Sequence, residues 1–306
     1  MSSSPMQESK DVSRSLTPGG EPLVLRDERP RLHWRSRDLE FRLGLPGGKN
    51  TSVASGVWLV AAMAVTVAFY LVLSALPDSW WVDLFTQRGP VPYAIVVFTV
   101  WSLLMLLVKL HKVRHQAESL GELDIVPSDP DFVLSPGTVS RVMDRLHARC
   151  VDPGHFILFR RLEFALSNLR NIGRVSDVDE VLNSSADADA DAAESSYTLL
   201  RGLVWAIPVL GFIGTVQGLS ASLGSFGAVF QDASTFEQLK PALQEVTAGL
   251  ATAFDTTLLG LLAALGVQML LTAVRKREDD LLDAFSDYCR KHVVSRLRLS
   301  PFEAGQ

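Results

Sequence analysis

The chain has 306 residues, a net charge of -5, a hydrophobic fraction of 47% and a mean hydropathy of +0.19. Its apolar residues form four long blocks instead of following helix or strand periodicity, which is typical of a helical membrane protein. The composition gives no support for a nucleic-acid partner, because membrane topology explains where the basic residues lie. The histidines at 111, 115, 147 and 155 are scattered without acidic or cysteine partners at metal-ligand spacing, so neither a metal site nor a catalytic histidine is indicated.

The amino-terminal part contains a polar tail followed by two simple spans. Residues 1–50 combine Ser, Pro, Gly and charged residues with few large apolar ones, which predicts a disordered cytoplasmic tail. Charge-free blocks at 56–76 and 90–108 each approach the roughly 20 residues that a transmembrane helix needs. In the short loop between them, Trp80 and Trp81 are predicted to anchor the chain at the headgroups.

A cytoplasmic helical region is predicted over residues 109–200. Apolar residues at three- and four-residue spacing predict two amphipathic helices, within 138–150 and 156–172, separated by an Asp-Pro-Gly turn at 152–154. The acidic stretch 184–196 has carboxylates that alternate without the spacing of a calcium loop. It is therefore predicted to be a solvated linker.

The last two spans are longer than a bilayer requires. One covers residues 201–231, with no charge after Arg201, and the other covers 246–274, interrupted only by Asp255. Both are expected to tilt or protrude from the bilayer. Residues 275–306 are predicted to extend the last span into a cytoplasmic helix and tail. An interrupted apolar face of this extension, predicted to pack against the middle region, consists of Leu281, Leu282, Phe285, Tyr288 and Val293.

The distribution of basic residues predicts the topology. Of the 29 Lys and Arg residues, only Arg88 and Lys240 fall in the connections after the first and third spans. The positive-inside rule then places both termini and the middle region in the cytoplasm. Cys150 and Cys289 are on that side, where thiols stay reduced, so no disulfide is expected. No removable signal peptide is expected, because about 50 mostly polar residues precede the first apolar block.

Small residues occupy one face of each of the last two spans. In lipid, helices associate through close packing, so such faces predict tight helix contacts, including a homo-oligomer formed through the glycine stripe of the third span. The stripe of the third span comprises Gly211, Gly214, Gly218, Ser222 and Ser225. The corresponding face of the fourth span comprises Ala253, Thr257, Gly260 and Ala264.

The polar residues of these spans have two interpretations. In a packed bundle, four threonines could simply bond the carbonyls one turn back on their own helices: Thr215, Thr252, Thr256 and Thr257. This explains Asp255 less well, because a carboxylate within a span costs roughly 2.5 to 3.5 kcal/mol on insertion scales and usually faces a cavity or a partner. Two buried polar sites at similar depth, on helices shaped to assemble, indicate a conduction path.

Two motifs then resemble a known family. "PVLGFIGTVQGL" at 208–219, followed by "GLATAFDTTLLGLLAAL" at 249–265, resembles the paired signature of the MotA/TolQ/ExbB proton-channel family. The residues that match the first motif are Pro208, Gly211, Gly214, Thr215 and Val216. Those that match the second are Thr257, Gly260 and Leu261.

The resemblance implies a fold, a partner and a location. It implies an all-α membrane protein of the bacterial inner membrane, forming a pentameric ring around two copies of a single-span subunit like ExbD, TolR or MotB. The partner's membrane aspartate would take up and release the transported proton, or alternatively a sodium ion, with no cofactor. Thr215 and Thr257 would line the ion path, with Gly211, Gly214, Gly218 and Gly260 in the helix packing. Pro208 would disturb its helix and free a carbonyl.

Two features depart from the TolQ and ExbB pattern. The first span gives this chain the four-span layout of MotA, and Asp255 lies roughly 200° around the helix from Thr257. Three roles for Asp255 remain open: an ion-path carboxylate, an inter-subunit hydrogen-bonding group, and an acid near the outer mouth that is held neutral.

Several functions remain open at this stage. A ring-forming motor subunit is favoured, with a non-conducting scaffold that binds partners through its cytoplasmic helices and a self-contained secondary transporter as alternatives. No internal repeat favours the transporter, and no nucleophile-base pair within a span favours an enzyme. The energised process could be motility, outer-membrane import, envelope maintenance or defence.

Overall fold

The structure is a computed structural model that describes Trp34, Glu40 and residues 51–77, 79–121, 133–135, 138–168, 175–232 and 236–297. Nearly all of these residues are helical. The α-helices are α1 (Ser55–Ser74), α2 (Trp80–Thr86), α3 (Val91–Gly121), α4 (Val139–Arg149), α5 (Ile157–Asn168), α6 (Val175–Ser196), α7 (Thr198–Asp232) and α8 (Phe236–His292). Two short 3-10 helices lie at Pro153–His155 and Val294–Arg296. Within the described ranges, β-structure is limited to a parallel bridge between Leu134 and Leu297.

Four helices are long and apolar enough to cross a membrane, which confirms the predicted four-span fold class. They are α1, α3, α7 and α8. The last three extend beyond the predicted spans, because their polar ends continue the helix outside the apolar segment. Helix α8 alone has 57 residues and is therefore about 85 Å long, nearly three times the thickness of a bilayer core.

Helix α1 packs against α3, and α3 packs against both α7 and α8. Only 22% of the apolar segment of α1 is buried in the isolated chain, as its composition predicts for a surface in contact with lipid. Trp80 and Trp81 in α2 are also exposed, which is consistent with their predicted role as anchors. The first span is thus attached to the pair formed by α7 and α8 mainly through α3.

The region outside the spans, formed by α4, α5, α6 and the end of α8, has its own hydrophobic core, which we call the extramembrane core. The two predicted amphipathic helices are confirmed as α4 and α5, with a 3-10 turn at Pro153–His155 between them. The predicted extension of the last span is also confirmed through His292. Its apolar face packs into a core with α4, α5 and α6 that includes Val142, Leu162, Phe285 and Tyr288.

The acidic stretch 184–196 is helical, so the prediction of a solvated linker was wrong. It forms the second half of α6. Asp189 is buried, and its carboxylate contacts the Arg160 guanidinium and lies 2.6 Å from Nε of Arg161. The alternating alanines of this stretch favour helix formation through their high helix propensity. Asp189 is the aspartate of the stretch that has a buried cationic partner, Arg161.

Two residues of the predicted disordered tail are described, and both are buried. Trp34 stacks on His115 with ring centroids 5.1 Å apart and meets Phe156 edge-on at 5.3 Å. Glu40 forms an ion pair of 2.5 Å with Lys112 on α3. The prediction of disorder does not hold at these two positions, and the rest of residues 1–50 lies outside the described residues.

The Glu40 carboxylate also accepts hydrogen bonds from Ala54 N at 2.9 Å and Trp58 Nε1 at 3.0 Å. Burial by itself would raise its pKa. The hydrogen bonds from Lys112, Ala54 and Trp58 outweigh that effect and lower the pKa of Glu40 below its ordinary value. The charged form is therefore stabilised at the start of α1.

Candidate functional site

Helices α7 and α8 approach each other at backbone distance, through a contact that we call the seam. A methyl group added at Gly218 would lie 2.8 Å from the carbonyl oxygen of Gly249, and one at Gly260 would lie 3.1 Å from that of Ile207. Glycine is therefore favoured at these positions, since a side chain would press against backbone of the other helix, most severely at Gly218. The seam consists of Ile207, Gly211, Gly214, Thr215, Gly218 and Ser222 of α7 with Gly249, Ala253, Thr256, Thr257 and Gly260 of α8.

The seam corrects the predicted use of the glycine stripe. Gly211, Gly214 and Gly218 face the chain's own last span, so this stripe cannot be the contact surface for a second copy. The sequence pattern identified the close-packing face but not its partner, because a small-residue stripe fits any helix that presents a matching face. The predicted small face of the fourth span is the matching one. Ser225 belongs to the residues whose side chains are not described.

Thr215 and Thr257 meet at the centre of the seam. Their hydroxyl groups are in direct hydrogen-bond contact. Thr257 Oγ1 lies 3.1 Å from the carbonyl oxygen of Gly211 on the opposite helix, and Thr215 Oγ1 lies 3.2 Å from that of Ala253. Each threonine thus reaches a carbonyl of the other helix, which creates a polar centre shared by both spans.

Thr252 and Thr256 of α8 bond carbonyls of their own helix, as the packed-bundle interpretation predicts. Thr252 bonds the carbonyl of Ala248 at 3.0 Å, and Thr256 bonds that of Thr252 at 3.0 Å, each one turn back on its own helix. Thr256 is nevertheless fully buried in the seam, against Gly214. Among these threonines, the two that match the family motif are therefore the ones whose hydroxyls contact polar atoms of the opposite helix.

Pro208 lies inside α7, about two turns before Thr215. Proline has no N–H, so the carbonyl of Val204 loses its usual partner within the helix. The preceding residue, Ile207, is buried against Gly260. The proline therefore weakens the backbone ladder of α7 beside the contact between Ile207 and Gly260.

Asp255 faces away from the threonine centre, as its helical position predicts. Its carboxylate lies 2.9 Å from Nη2 of Arg88, in the connection between α2 and α3. Nη1 of the same guanidinium lies 3.4 Å from Oγ1 of Thr252. The ion pair between Arg88 and Asp255 could not be predicted from the sequence. Arg88 is distant from Asp255 in the chain, and its position in a loop indicated only a basic residue that determines topology. Arg88 compensates the carboxylate charge within the same subunit.

A cavity of about 460 Å³ lies at the end of the seam beside Arg88. The residues that line it come from three parts of the chain: Asp83, Gln87 and Arg88; Ala221 and Ser222; and Glu245, Ala248, Gly249 and Thr252. Among the described residues, no group of three or more His, Cys, Asp or Glu side chains could hold a metal ion.

The fold and the site define a helical membrane protein with a polar centre between two tightly packed spans. Residues 157–287 match the model of the MotA/TolQ/ExbB proton channel family, which confirms the resemblance seen in the sequence. The matched range contains α5, α6, α7 and all of the seam, whereas α1 and α3 lie outside it. No curated protein and no solved structure matches the chain.

Proposed function

We propose that this chain is the ring-forming subunit of a proton-driven motor complex in the bacterial inner membrane, coupling ion flow to mechanical work on a single-span partner. The observation that carries the proposal is the reciprocal contact between Thr215 and Thr257, at the positions that match the family motif. Their hydroxyls can donate and accept hydrogen bonds at a point where the flanking residues are small. A polar helix edge of this kind can serve a passing proton or a protonated side chain.

The mobile proton carrier would belong to another chain. The seam residues include no carboxylate, and Asp255 is engaged by Arg88 on a different face of α8. We therefore propose two copies of a single-span subunit, resembling ExbD, TolR or MotB, inside a ring of five copies of this chain. The number five comes from the family resemblance. Ring contacts would use faces of α7 and α8 other than the seam, such as those that expose Phe212 and Leu262.

Threonine substitution tests the ion path. Thr215→Val and Thr257→Val keep the side-chain shape and remove the hydroxyl, so each should abolish partner-dependent proton flux in liposomes. Thr257→Ser keeps the hydroxyl and should retain flux. Thr272→Val is the matched control, because Thr272 is exposed on α8 and bonds its own Gln268 carbonyl.

Native mass spectrometry should show that the valine variants still assemble like the parent protein. Normal flux in both valine variants would refute the proposed path. The parent chain without its partner should leak little, because a lumen without a protonatable relay group conducts poorly. Strong conduction by the chain alone would contradict the need for a partner.

The same proposal places both termini and the α4–α6 region in the cytoplasm. Reporter fusions after Pro77 and after Lys240 should therefore give periplasmic signals. Fusions near Asp129 and Gln306 should give cytoplasmic signals. A periplasmic signal at Asp129 would invalidate the orientation.

A scaffold is the second candidate function, favoured by one observation in the cytoplasmic region. An open groove of about 660 Å³ lies between α5 and α6 and contains Phe164, whose side chain is largely exposed. A scaffold would bind a partner through this region and show no partner-dependent flux. The liposome measurement distinguishes the two functions.

A further inference from the structure

The outer end of the seam opens directly into the 460 Å³ cavity. Ser222 and Gly249 belong to both the seam and the cavity wall. At about 30 Å³ per molecule, this volume corresponds to roughly 15 waters. Its lining includes carboxylates, a guanidinium, an amide and hydroxyls, which can hydrogen-bond such water. The cavity therefore has both the size and the chemistry of an aqueous compartment.

Arg88 connects the cavity wall to α8. Its guanidinium contacts Asp255 and Thr252, which lie one turn apart on that helix. Gly89 follows it with φ of +79°, a left-handed conformation that turns the chain into α3 and directs the arginine toward α8. Arg88 thus braces the connection between α2 and α3 against the last span.

The charges around the cavity favour cations. Asp83 and Glu245 contribute two carboxylates to the lining, while the Arg88 charge is compensated by Asp255. The lining therefore carries a net negative charge, which raises the local concentration of cations over anions.

The cavity also lies close to the polar centre of the seam. Ser222 is seven residues from Thr215 on α7, which corresponds to about 10.5 Å along the helix axis. Gly218 and Ala253 fill the intervening part of the seam. Water in the cavity would end about two helical turns from the threonine pair.

We propose that this cavity is a water-filled outer vestibule of the ion path and that the Arg88–Asp255 pair is the brace that holds it open. Arg88 and Asp255 are positioning residues: they keep the α2–α3 connection attached to α8 and do not carry the ion. This assigns Asp255 a role within one subunit, distinct from the three roles left open by the sequence. As a vestibule, the cavity would deliver ions to the ion path of the proposed function. The inference rests on the proposed function in this respect alone.

Cysteine accessibility tests the vestibule in the assembled complex in spheroplasts. Ala221→Cys lines the cavity, whereas Leu223→Cys, two residues away, replaces an exposed apolar side chain outside the lining. A membrane-impermeant, positively charged methanethiosulfonate should label position 221 at least about tenfold faster than position 223, because a thiol in apolar surroundings does not ionise. A negatively charged reagent should label position 221 more slowly than the cationic one. Equal rates at the two positions would refute a water-filled vestibule.

The brace is tested in the Ala221→Cys background. Arg88→Gln and Asp255→Asn should each reduce labelling to the rate of the Leu223→Cys control, while Arg88→Lys should keep part of it. The exchange Arg88→Asp with Asp255→Arg should restore labelling if the pair acts only by attraction. Unchanged labelling in both Arg88→Gln and Asp255→Asn, with assembly intact by native mass spectrometry, would refute the brace.

The two proposals can fail separately. Labelling reports water access and needs no ion flux, so Thr257→Val should abolish flux and leave labelling at position 221 unchanged. An accessible vestibule in a complex that never conducts would count against the proposed function alone. A conducting complex with an inaccessible position 221 would count against the vestibule alone.

Discussion

The seam and the extramembrane core are held together in opposite ways, although α8 runs through both. The seam uses glycine, alanine and threonine at backbone distance and contains no charge. The extramembrane core uses large side chains such as Trp34 and Phe285 together with buried ion pairs. Lipid gives little hydrophobic drive for helix association, so close backbone packing must supply the attraction in the seam. Water provides that drive for the extramembrane core.

A buried ion pair marks the boundary between the two regions. Lys109 of α3 lies 3.0 Å from the Glu278 carboxylate of α8, with both side chains about 2% exposed. The Lys109 ammonium also bonds Ser196 at 2.7 Å and lies 4.2 Å from the centre of the Tyr197 ring. Such a pair tolerates little change, because removing one partner leaves a buried charge uncompensated.

The largest loss of stability is expected from Asp189. Asp189→Ala removes the carboxylate that compensates Arg161, whose side chain is about 1% exposed, and should cost about 3 to 5 kcal/mol. Asp187→Ala and Asp191→Ala, in the same acidic stretch but exposed, should stay within about 0.5 kcal/mol. Thermal unfolding in detergent compares the three variants. Equal midpoints would show that α6 is not fixed by its buried aspartate.

A loss of stability nearly as large is expected when Trp34 is replaced. Trp34→Ala leaves a void between His115 and Phe156 and should cost about 3 kcal/mol, at the lower end for a buried tryptophan. Trp34→Phe keeps an aromatic ring and should recover much of the loss. Limited proteolysis near residue 34 provides the measurement. A cleavage rate unaffected by Trp34→Ala would contradict the observed docking.

A smaller loss is expected from the seam. Gly218→Ala forces a methyl group toward the Gly249 carbonyl and should cost about 1 to 3 kcal/mol by overpacking. Gly266→Ala on α8 is the matched control, because a methyl group there would meet nothing within 4 Å. The control should be neutral or slightly stabilising, since alanine favours helix over glycine. If both variants unfold at the same temperature, the close approach is unimportant for stability.

The smallest expected effect is on the reactivity of the buried thiols. Burial raises the pKa of both Cys150 and Cys289 from 9.0 to about 11. A shift of this size leaves about 100-fold less reactive thiolate at pH 8, and the alkylation rate should keep rising with pH up to about 11. Iodoacetamide labelling of folded and denatured protein, followed by mass spectrometry, measures the difference. Equal rates in the two states would indicate that the core is open around these thiols.

The spacing of apolar residues in the sequence predicted the features that involve a single helix. The four spans, the amphipathic helices α4 and α5 and the extension through Phe285 all follow from the spacing of apolar residues. The contact between Thr215 and Thr257 was anticipated only as a shared environment suggested by the family motif. Their exchange of hydrogen bonds across the seam required the structure.

The features that the sequence missed depend on pairs of residues far apart in the chain. Arg88 and Asp255 are separated by the whole α4–α6 region, and nothing local distinguishes this arginine from a topology determinant. The buried state of Asp189 was hidden by its low-complexity surroundings, which look solvated when the opposing arginines are not considered. A heptad-like spacing of Leu182, Asp189 and Ala193 was the available signal.

The unbroken length of α8 would turn a small tilt within the membrane into a larger displacement outside it. Phe285 lies 28 residues beyond Thr257 on the same helix, which is about 42 Å along its axis. A tilt of about 5° pivoting at Thr257 would carry the Phe285 end sideways by nearly 4 Å, by the geometry of a rigid rod of this length. The helix therefore has the geometry of a lever that pivots at the polar centre and whose long arm ends among the aromatic side chains of the extramembrane core.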